Sequence, residues 1–543
     1  MNHIPSQDPA LYQGGNMGDL LIDAIQRGGD RVAFVHGEQQ QTYREFGALL
    51  SRFVQALSNH GLCKGDAVAT LSANRPEAFL VTAAAYLMGL RVTWMNPNSS
   101  EDDHAYMLQD SGVLLMLVDP PNYGARALAL HARVGGAMRM AGLGAWGGQI
   151  DMLLEAERFT PERLVACAGA DDTCVLLYTG GTTGRPKGVV HTHRVHEAMV
   201  LMELAGWDWP AEPRFLATTP ITHASGTVIM PVLMRSGTVV MNAGFEVGSF
   251  CRLVQQHRIN ATFMVPTMIY VLLDAPQRRQ HDLSSLAMVI YGAAPMSPAR
   301  LTEAIDVFGP VFMQIYGQSE APMALTVLHT REHEPERHPQ RLASCGTPMP
   351  GIQLRLLDEQ GADVADGQVG EICARGPLLM AGYWNKPQET AAALRHGWLY
   401  TGDLARRDAD GYLYIVDRSK DMVISGGFNV YPREVEDVLS QHPAVAAAAV
   451  VGVPDAKWGE AVHAMVVLRP GAGEDSDALG AELMALVRLR KGAVQTPKHI
   501  AFVAKLPVTS LGKLDKKAMR DELARRRSAQ AAATGPTTLS GSG

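Results

Sequence analysis

Residues 179–188 read TGGTTGRPKG and lie between an apolar run, TCVLLY at 173–178, and the β-branched pair Val189 and Val190. Both flanks have the texture of buried strands, so the segment is predicted to be a loop that joins strand to strand. Gly180, Gly181, Gly184 and Gly188 let backbone amides approach an anion closely. The hydroxyls of Thr179, Thr182 and Thr183 can donate to phosphate oxygens, and Arg185 and Lys187 add positive charge. This reads as a polyphosphate-binding loop. A Walker-type P-loop would read G-x-x-x-x-G-K-[ST] and open a helix directly; here Pro186 precedes the lysine and a strand follows. A ligand-free glycine-rich hairpin is the competing reading, and the concentration of threonine, glycine and cation weighs against it.

The loop belongs to a large chain. At 543 residues the sequence exceeds what one hydrophobic core organises, and two to four domains are expected. With 47% hydrophobic and 19% charged residues it is neither mostly disordered nor collagen-like. Forty-eight basic against 55 acidic side chains give a net charge of −7, without the basic excess that would point to nucleic acid, so no nucleic-acid partner is expected. The six cysteines show no C-x-x-C pair or zinc-ligand spacing, which fits a reducing compartment. No secretory leader is visible. The longest apolar run, residues 78–90, is shorter than the roughly 20 residues of a membrane span and is bracketed by Glu77 and Arg91. It is predicted to be a buried helix, with no transmembrane segment and a cytoplasmic location.

Helical patterns alternate with short apolar segments from about residue 20 to 160 and resume after 176, which predicts layered α/β structure with partly parallel sheets. Between 352 and 416 short strands and Gly/Asp turns, Asp410-Gly411 among them, read as a small β-rich subdomain. Beyond residue 420 a helix, strand, strand series reads as a small α+β domain ending in a basic helix at 516–527. The fold class expected is therefore α/β, with a large N-terminal region of several subdomains (1–418), a small α+β C-terminal domain (419–527) and a disordered tail (528–543).

Three further patterns suggest chemistry. GLGAWG at 142–147 fits G-x-G-x-x-G, but with no clear strand before it and no long helix after it, it is read as a plain loop. His333 and His338 stand five apart with Pro335 between them, so they would not share a helix face, and a solvated charged loop is expected. His191 and His193, with His196 beyond, put two imidazoles at i and i+2 on an extended segment, which would need a third metal ligand that the sequence does not indicate; they are read as following on from the phosphate loop.

The ordered motifs carry more. After YTGGTTGRPKG come IYGAAP at 290–295 with Ser297-Pro298 as a helix start, QIYGQSE at 314–320, WLYTGD at 398–403, DRSKD at 417–421, ISGGFNVYP at 424–432 and PVTSLGKLD at 507–515. In this order the sequence resembles the adenylate-forming (AMP-binding) superfamily, of acyl-CoA synthetase or fatty-acid–CoA ligase type, from about residue 20 to 525. The phosphate loop is similar to that family's YTSGTTGxPKG, with Gly180 where serine is usual and hence one hydroxyl fewer. Ser319 replaces the threonine of YGxTE and retains its hydroxyl.

The resemblance implies a two-step ligase that uses ATP, Mg2+ and coenzyme A. A carboxylic acid attacks ATP to give an acyl-adenylate and pyrophosphate, then passes to CoA with release of AMP. Thr182, Lys187, Glu320, His223 and Lys513 take the catalytic roles. Nucleotide binding falls to Thr179, Gly180, Gly181, Thr182, Thr183, Gly184, Lys187, Gly292, Ala293, Ala294, Tyr316, Gly317, Ser319, Asp403, Arg418 and Lys513. Glu320 is the magnesium ligand, a hard oxygen donor suited to that ion. Ser425, Gly426, Gly427 and Phe428 form the CoA face, and Lys420 is the hinge of a mobile C-terminal domain. The acyl pocket is assigned to His223, Gly226, Gly292, Gly317 and Met323. Met230, Met234, Met264, Met268 and Met313 lie in the same segments, and adaptable methionines suit a hydrophobic acyl chain or ordinary core filling equally. A medium- or long-chain fatty acid is the first expectation, with an aryl or cyclic acid, or transfer to a carrier protein, as alternatives. A non-catalytic adenylate-binding regulator is the alternative of another class, and a homodimer is compatible with the resemblance.

Overall fold

The computed structural model describes residues 15–136, 138–179, 185–418, 421–425, 428–455, 458–472, 477–509 and 513–533. The chain divides into two compact units, one of Met1–Met296, Thr302–Arg355 and Cys373–Thr401, the other of Ser297–Leu301, Leu356–Ile372 and Gly402–Gly543.

The first unit contains two large sheets. One has eight strands among the described residues, in the order Gly382–Tyr383, Lys187–Thr192, Thr173–Thr179, Arg91–Trp94, Ala67–Leu71, Leu115–Val118, Arg139–Gly142 and Ile150–Asp151. From Thr173–Thr179 onward neighbours run parallel, whereas Lys187–Thr192 folds back antiparallel on Thr173–Thr179. Strands Ala67–Leu71 and Leu115–Val118 are buried at every position because both faces are covered. The helix Pro76–Met88 is buried at every position from Ala78 to Met88, as the apolar run predicted. Proline in its first turn starts it, and Gly89 ends it at φ 69°, a left-handed conformation that suits glycine. A strand, Arg139–Gly142, does run into the GLGAWG segment, which corrects the expectation that none precedes it; no helix follows directly.

The second sheet has nine strands among the described residues, with Val32–His36 parallel to Thr238–Met241, and Ala261–Met264, Met288–Tyr291 and Phe312–Gln318 side by side and parallel. Ala321–Leu328 then turns back antiparallel. One helix that packs in this unit, Ala224–Met234, begins at a forced glycine. A Cβ on Gly226 would lie 1.7 Å from the Ile221 carbonyl oxygen. Gly226→Ala is therefore expected to cost about 3 kcal/mol or more, read as a fall in the urea midpoint; an unchanged midpoint would contradict this packing.

In the second unit a five-stranded sheet is ordered Phe428–Val430, Val423–Ser425, Gly459–Leu468, Val445–Asp455, with His499–Phe502 parallel to Gly459–Leu468. Strand alternation sends Val450, Val462, Ala464 and Val466 toward helices Pro432–Leu439 and Asp477–Lys491, and Ala449, Val451, Val453 and Met465 toward Met519 and Leu523 of helix Lys516–Ala533. That last helix extends past residue 527. The hairpin-rich stretch from 352 to 416 forms a further small sheet, in which Trp398–Arg407 pairs antiparallel with Leu413–Arg418 and Gly411 turns at φ 89°.

Candidate active site

The two strands that flank the candidate phosphate loop pair with each other. Thr179 closes one strand directly opposite Lys187, which opens the next, and its hydroxyl donates to the Lys187 carbonyl at 3.5 Å. Gly180, Gly181, Thr182, Thr183 and Gly184 lie outside the described residues. Below the loop, Asp110 gathers aromatic donors: Tyr178 Oη at 2.7 Å, Tyr106 Oη at 3.3 Å, and Trp384 Nε1 on its backbone carbonyl at 2.9 Å. The Arg185 guanidinium stands 5.3 Å over the Tyr106 ring, so the exposed cation after the loop rests on an aromatic face.

Lys187 and Glu320 share one tyrosine. The ammonium of Lys187 lies 5.0 Å from the centre of the Tyr383 ring, and Tyr383 Oη donates to Glu320 Oε1 at 2.7 Å. Burial, reinforced by the Glu320 charge, pushes the Tyr383 hydroxyl well above its ordinary range, so it stays a donor. Tyr383 arrives by strand pairing, Gly382 opposite Val190 and Tyr383 opposite Val189. Sequence reading missed it, because nothing in the local sequence marks it. Among the described residues no group of three His, Cys, Asp or Glu side chains could hold a metal. Glu320 instead offers one half-buried carboxylate, a donor set that fits magnesium brought in with phosphates and water as its other ligands.

The adenine and acyl candidates meet at the carboxyl ends of parallel strands, where ligands bind in open α/β sheets. A Cβ on Gly292 would lie 2.6 Å from the Ile315 carbonyl, and one on Gly317 would lie 2.6 Å from the Met323 amide. Both are fixed as glycine by close backbone approach. Ala293 at φ 64° and Met323 at φ 61° adopt left-handed conformations unusual for non-glycine residues, a form of strain that concentrates at functional sites. Ala294 follows in the same bend. Tyr316 is 8% exposed, and Gln318 Nε2 donates to the Thr401 carbonyl at 3.3 Å. His223 is half-buried at the start of helix Ala224–Met234 and its ring does not cap it. Gly226 is buried and its contact is structural. Of the methionines, Met230, Met264 and Met313 are core, with Met313 Sδ accepting the Asp208 amide; Met234 and Met268 are part-exposed.

The histidines are buried. His191 is 1% exposed, His193 fully covered, and His333, which the charged run placed in a solvated loop, is only 3% exposed. That expectation is corrected: His333 packs against Tyr291, whose hydroxyl it meets at 2.9 Å, so the tyrosine draws it inward. Desolvation lowers all three to about 4 from an ordinary 6.5. A depressed folded value means the unfolded chain binds protons first as pH falls. The stability these groups contribute is full above 6.5 and is lost as pH drops toward 4. The urea midpoint should decline steadily across that window, and a flat profile would contradict the burial of neutral imidazoles.

The second unit holds the remaining candidates. Asp403, 5% exposed, sits opposite Arg418 in the strand ladder, with the guanidinium Nε 3.2 Å from its carboxylate. Asp417 accepts from Lys516 Nζ at 3.3 Å. Lys513 is part-exposed in a turn closed by the Thr509 amide on its own carbonyl at 2.7 Å and by the bridge between Val508 and Leu514. Ser425 is buried, and Phe428 is 62% exposed. Lys420, Gly426 and Gly427 lie outside the described residues.

A family model described as AMP-binding enzyme matches residues 21–384, and one described as AMP-binding enzyme C-terminal domain matches 434–513. Over 513 residues the sequence is 46% identical to the medium/long-chain-fatty-acid–CoA ligase FadD8 of Mycobacterium tuberculosis, covering 93% of this chain and 89% of that protein. It is 38% identical over 497 residues to a feruloyl-CoA synthase from Amycolatopsis sp, covering 90% of this chain and 95% of that one. Among solved structures, the amide bond synthetase McbA from Marinactinospora thermotolerans is similar with a TM-score of 0.85 and 32% identity, covering 93% of this chain and 99% of that chain.

Proposed function

Because the chain belongs to the AMP-binding enzyme family, we propose that it activates a hydrophobic carboxylic acid, a medium- or long-chain fatty acid, by adenylation. It is an ATP-dependent acid–CoA ligase of the AMP-forming type, and it uses ATP, Mg2+ and CoA. The observation that carries the site assignment is the pairing of Lys187 and Glu320 on Tyr383, with Lys187 at the start of the strand that follows the glycine- and threonine-rich segment.

In the first half-reaction a carboxylate oxygen attacks the α-phosphorus and the bond to pyrophosphate breaks. The substrate is itself the nucleophile, so the protein's task is positioning and charge neutralisation. Lys187 meets the phosphates and Lys513 the α-phosphate, while Glu320 would hold a magnesium ion, which would supply neutralisation of phosphate charge. Asp403 accepts from the ribose hydroxyls beside Arg418. In the second half-reaction the CoA thiolate attacks the acyl carbonyl and AMP leaves. A body of residues 1–418 and a lid of 419–527 turning about Lys420 would present Lys513 and then the face of Ser425, Gly426, Gly427 and Phe428.

Among the described residues no helix is long and apolar enough to cross a membrane. All six cysteines are free, which supports a reducing, cytoplasmic setting. The fatty-acid assignment draws on the 46% relative, and the 38% feruloyl-CoA synthase favours an aryl acid as the second reading. Comparing kcat/KM from octanoate through palmitate with that for hydroxycinnamates separates them: a maximum among the fatty acids is expected, and a maximum among the aryl acids would move the assignment to the second reading.

A further inference from the structure

Behind the turn that carries Glu320 runs a buried chain of hydrogen bonds. His191 Nε2 lies 2.6 Å from the Ser319 carbonyl, His191 Nδ1 lies 3.1 Å from His196 Nε2, and His196 Nδ1 lies 3.2 Å from Tyr86 Oη. Tyr86 is 2% exposed and each histidine 1%. A carbonyl can only accept, so His191 carries its proton on Nε2 and, as a neutral ring, accepts at Nδ1. His196 must then donate from Nε2, which leaves its Nδ1 to accept from the tyrosine hydroxyl. One backbone carbonyl thus sets the polarity of the whole chain, and Trp94 and Tyr86 close around His196 edge-on.

The carbonyl belongs to the central peptide of a two-residue hairpin loop. Gln318 pairs with Ala321, leaving Ser319 and Glu320 as the turn. Two-residue hairpin loops favour turn types in which at least one central residue has positive φ, yet neither Ser319 nor Glu320 does. The turn therefore depends on outside partners: His191 on the Ser319 carbonyl, the Met380 amide on the Glu320 carbonyl at 2.9 Å, and Tyr383 on the Glu320 carboxylate. Because a peptide is planar, a carbonyl held toward His191 turns the Glu320 amide the opposite way.

We propose that His191, backed by His196 and Tyr86, is a positioning residue that fixes the Ser319-Glu320 peptide and so aims the Ser319 hydroxyl and the Glu320 carboxylate at MgATP. The proposal rests on the reading that these two residues bind MgATP. It differs from a packing role, in which any apolar side chain of similar volume would serve.

The test is calorimetric titration of MgATP onto the full chain, with thermal melting alongside, for wild type, His191→Leu, His191→Gln and Tyr86→Phe. Glutamine can place an amide N–H where Nε2 stood, whereas leucine cannot. Loss of one buried hydrogen bond to the turn should weaken MgATP binding about tenfold in His191→Leu, with His191→Gln returning to within about threefold of wild type. Tyr86→Phe, which removes only the far end of the chain, should weaken it about threefold. Wild-type MgATP affinity in His191→Leu, whatever its melting point, would overturn the proposal. If His191→Leu does not fold, Tyr86→Phe decides: weakened binding supports the relay and unchanged binding overturns it. If wild type itself fails to bind MgATP, the functional reading falls and the relay falls with it.

Discussion

Lys513→Ala is expected to lower acid-dependent pyrophosphate formation by about 10² to 10³, while a chemically prepared acyl-adenylate is still converted to thioester at close to the wild-type rate. The asymmetry follows from when the ammonium is needed. Negative charge builds at the α-phosphorus only in the first half-reaction, and a fixed cation contributes most where charge develops in the transition state. Lys513 is part-exposed and its turn is closed through backbone atoms, the Thr509 amide on the Lys513 carbonyl and the bridge between Val508 and Leu514. The following helix is started by Asp515, whose carboxylate accepts the Ala518 amide at 2.9 Å, so it does not need the lysine side chain. Equal losses in the two half-reactions would contradict the assigned role.

Glu320→Gln should lower kcat/KM for MgATP by about 10², with the concentration of magnesium at half-maximal rate displaced upward. The amide keeps the size of the side chain and still offers an oxygen to Tyr383 Oη, so the packing around the 2.7 Å contact survives. What is removed is the negative charge and the hard oxygen that magnesium prefers. A variant that loses activity but keeps the wild-type magnesium dependence would place Glu320 in the scaffold. Tyr383→Phe provides the internal comparison, since it deletes the donor and leaves the carboxylate.

The placing of the candidate nucleotide segments at strand ends was legible because each segment is contiguous. The loop 179–188 lies between its two strands as its flanks implied, and the segments at 290–298 and 314–320 end neighbouring parallel strands. The buried helix Pro76–Met88 was equally readable from its unbroken apolar run and its proline and glycine ends. What the sequence did not disclose depends on contacts between distant residues. Nothing local tells Val32–His36 to pair with Thr238–Met241, because pairing over that separation is decided by which apolar faces pack together. Tyr383 reaches Glu320 only because Gly382–Tyr383 adds to the edge of Lys187–Thr192. The charged run around His333 suggested solvent exposure, yet two hydrogen-bond partners, the Tyr291 hydroxyl and the His329 carbonyl, and the ring of Tyr291 take the imidazole inside. His191 looked like the tail of the phosphate loop, and its contact with Ser319 spans 128 positions. Gly226 was assigned to substrate by resemblance, whereas the Ile221 carbonyl already gives a sufficient reason for glycine there.

This chain joins an acid to CoA through an adenylate. Pyrophosphate release measured with purified protein, MgATP and a panel of carboxylic acids, with and without CoA, tests it most directly when the thioester is identified by mass in the same reactions. Acid-dependent pyrophosphate is expected with a hydrophobic acid, and AMP and acyl-CoA in equal amounts once CoA is added. No acid-dependent release across the panel would contradict the adenylation chemistry, and release without thioester would contradict CoA as the acceptor.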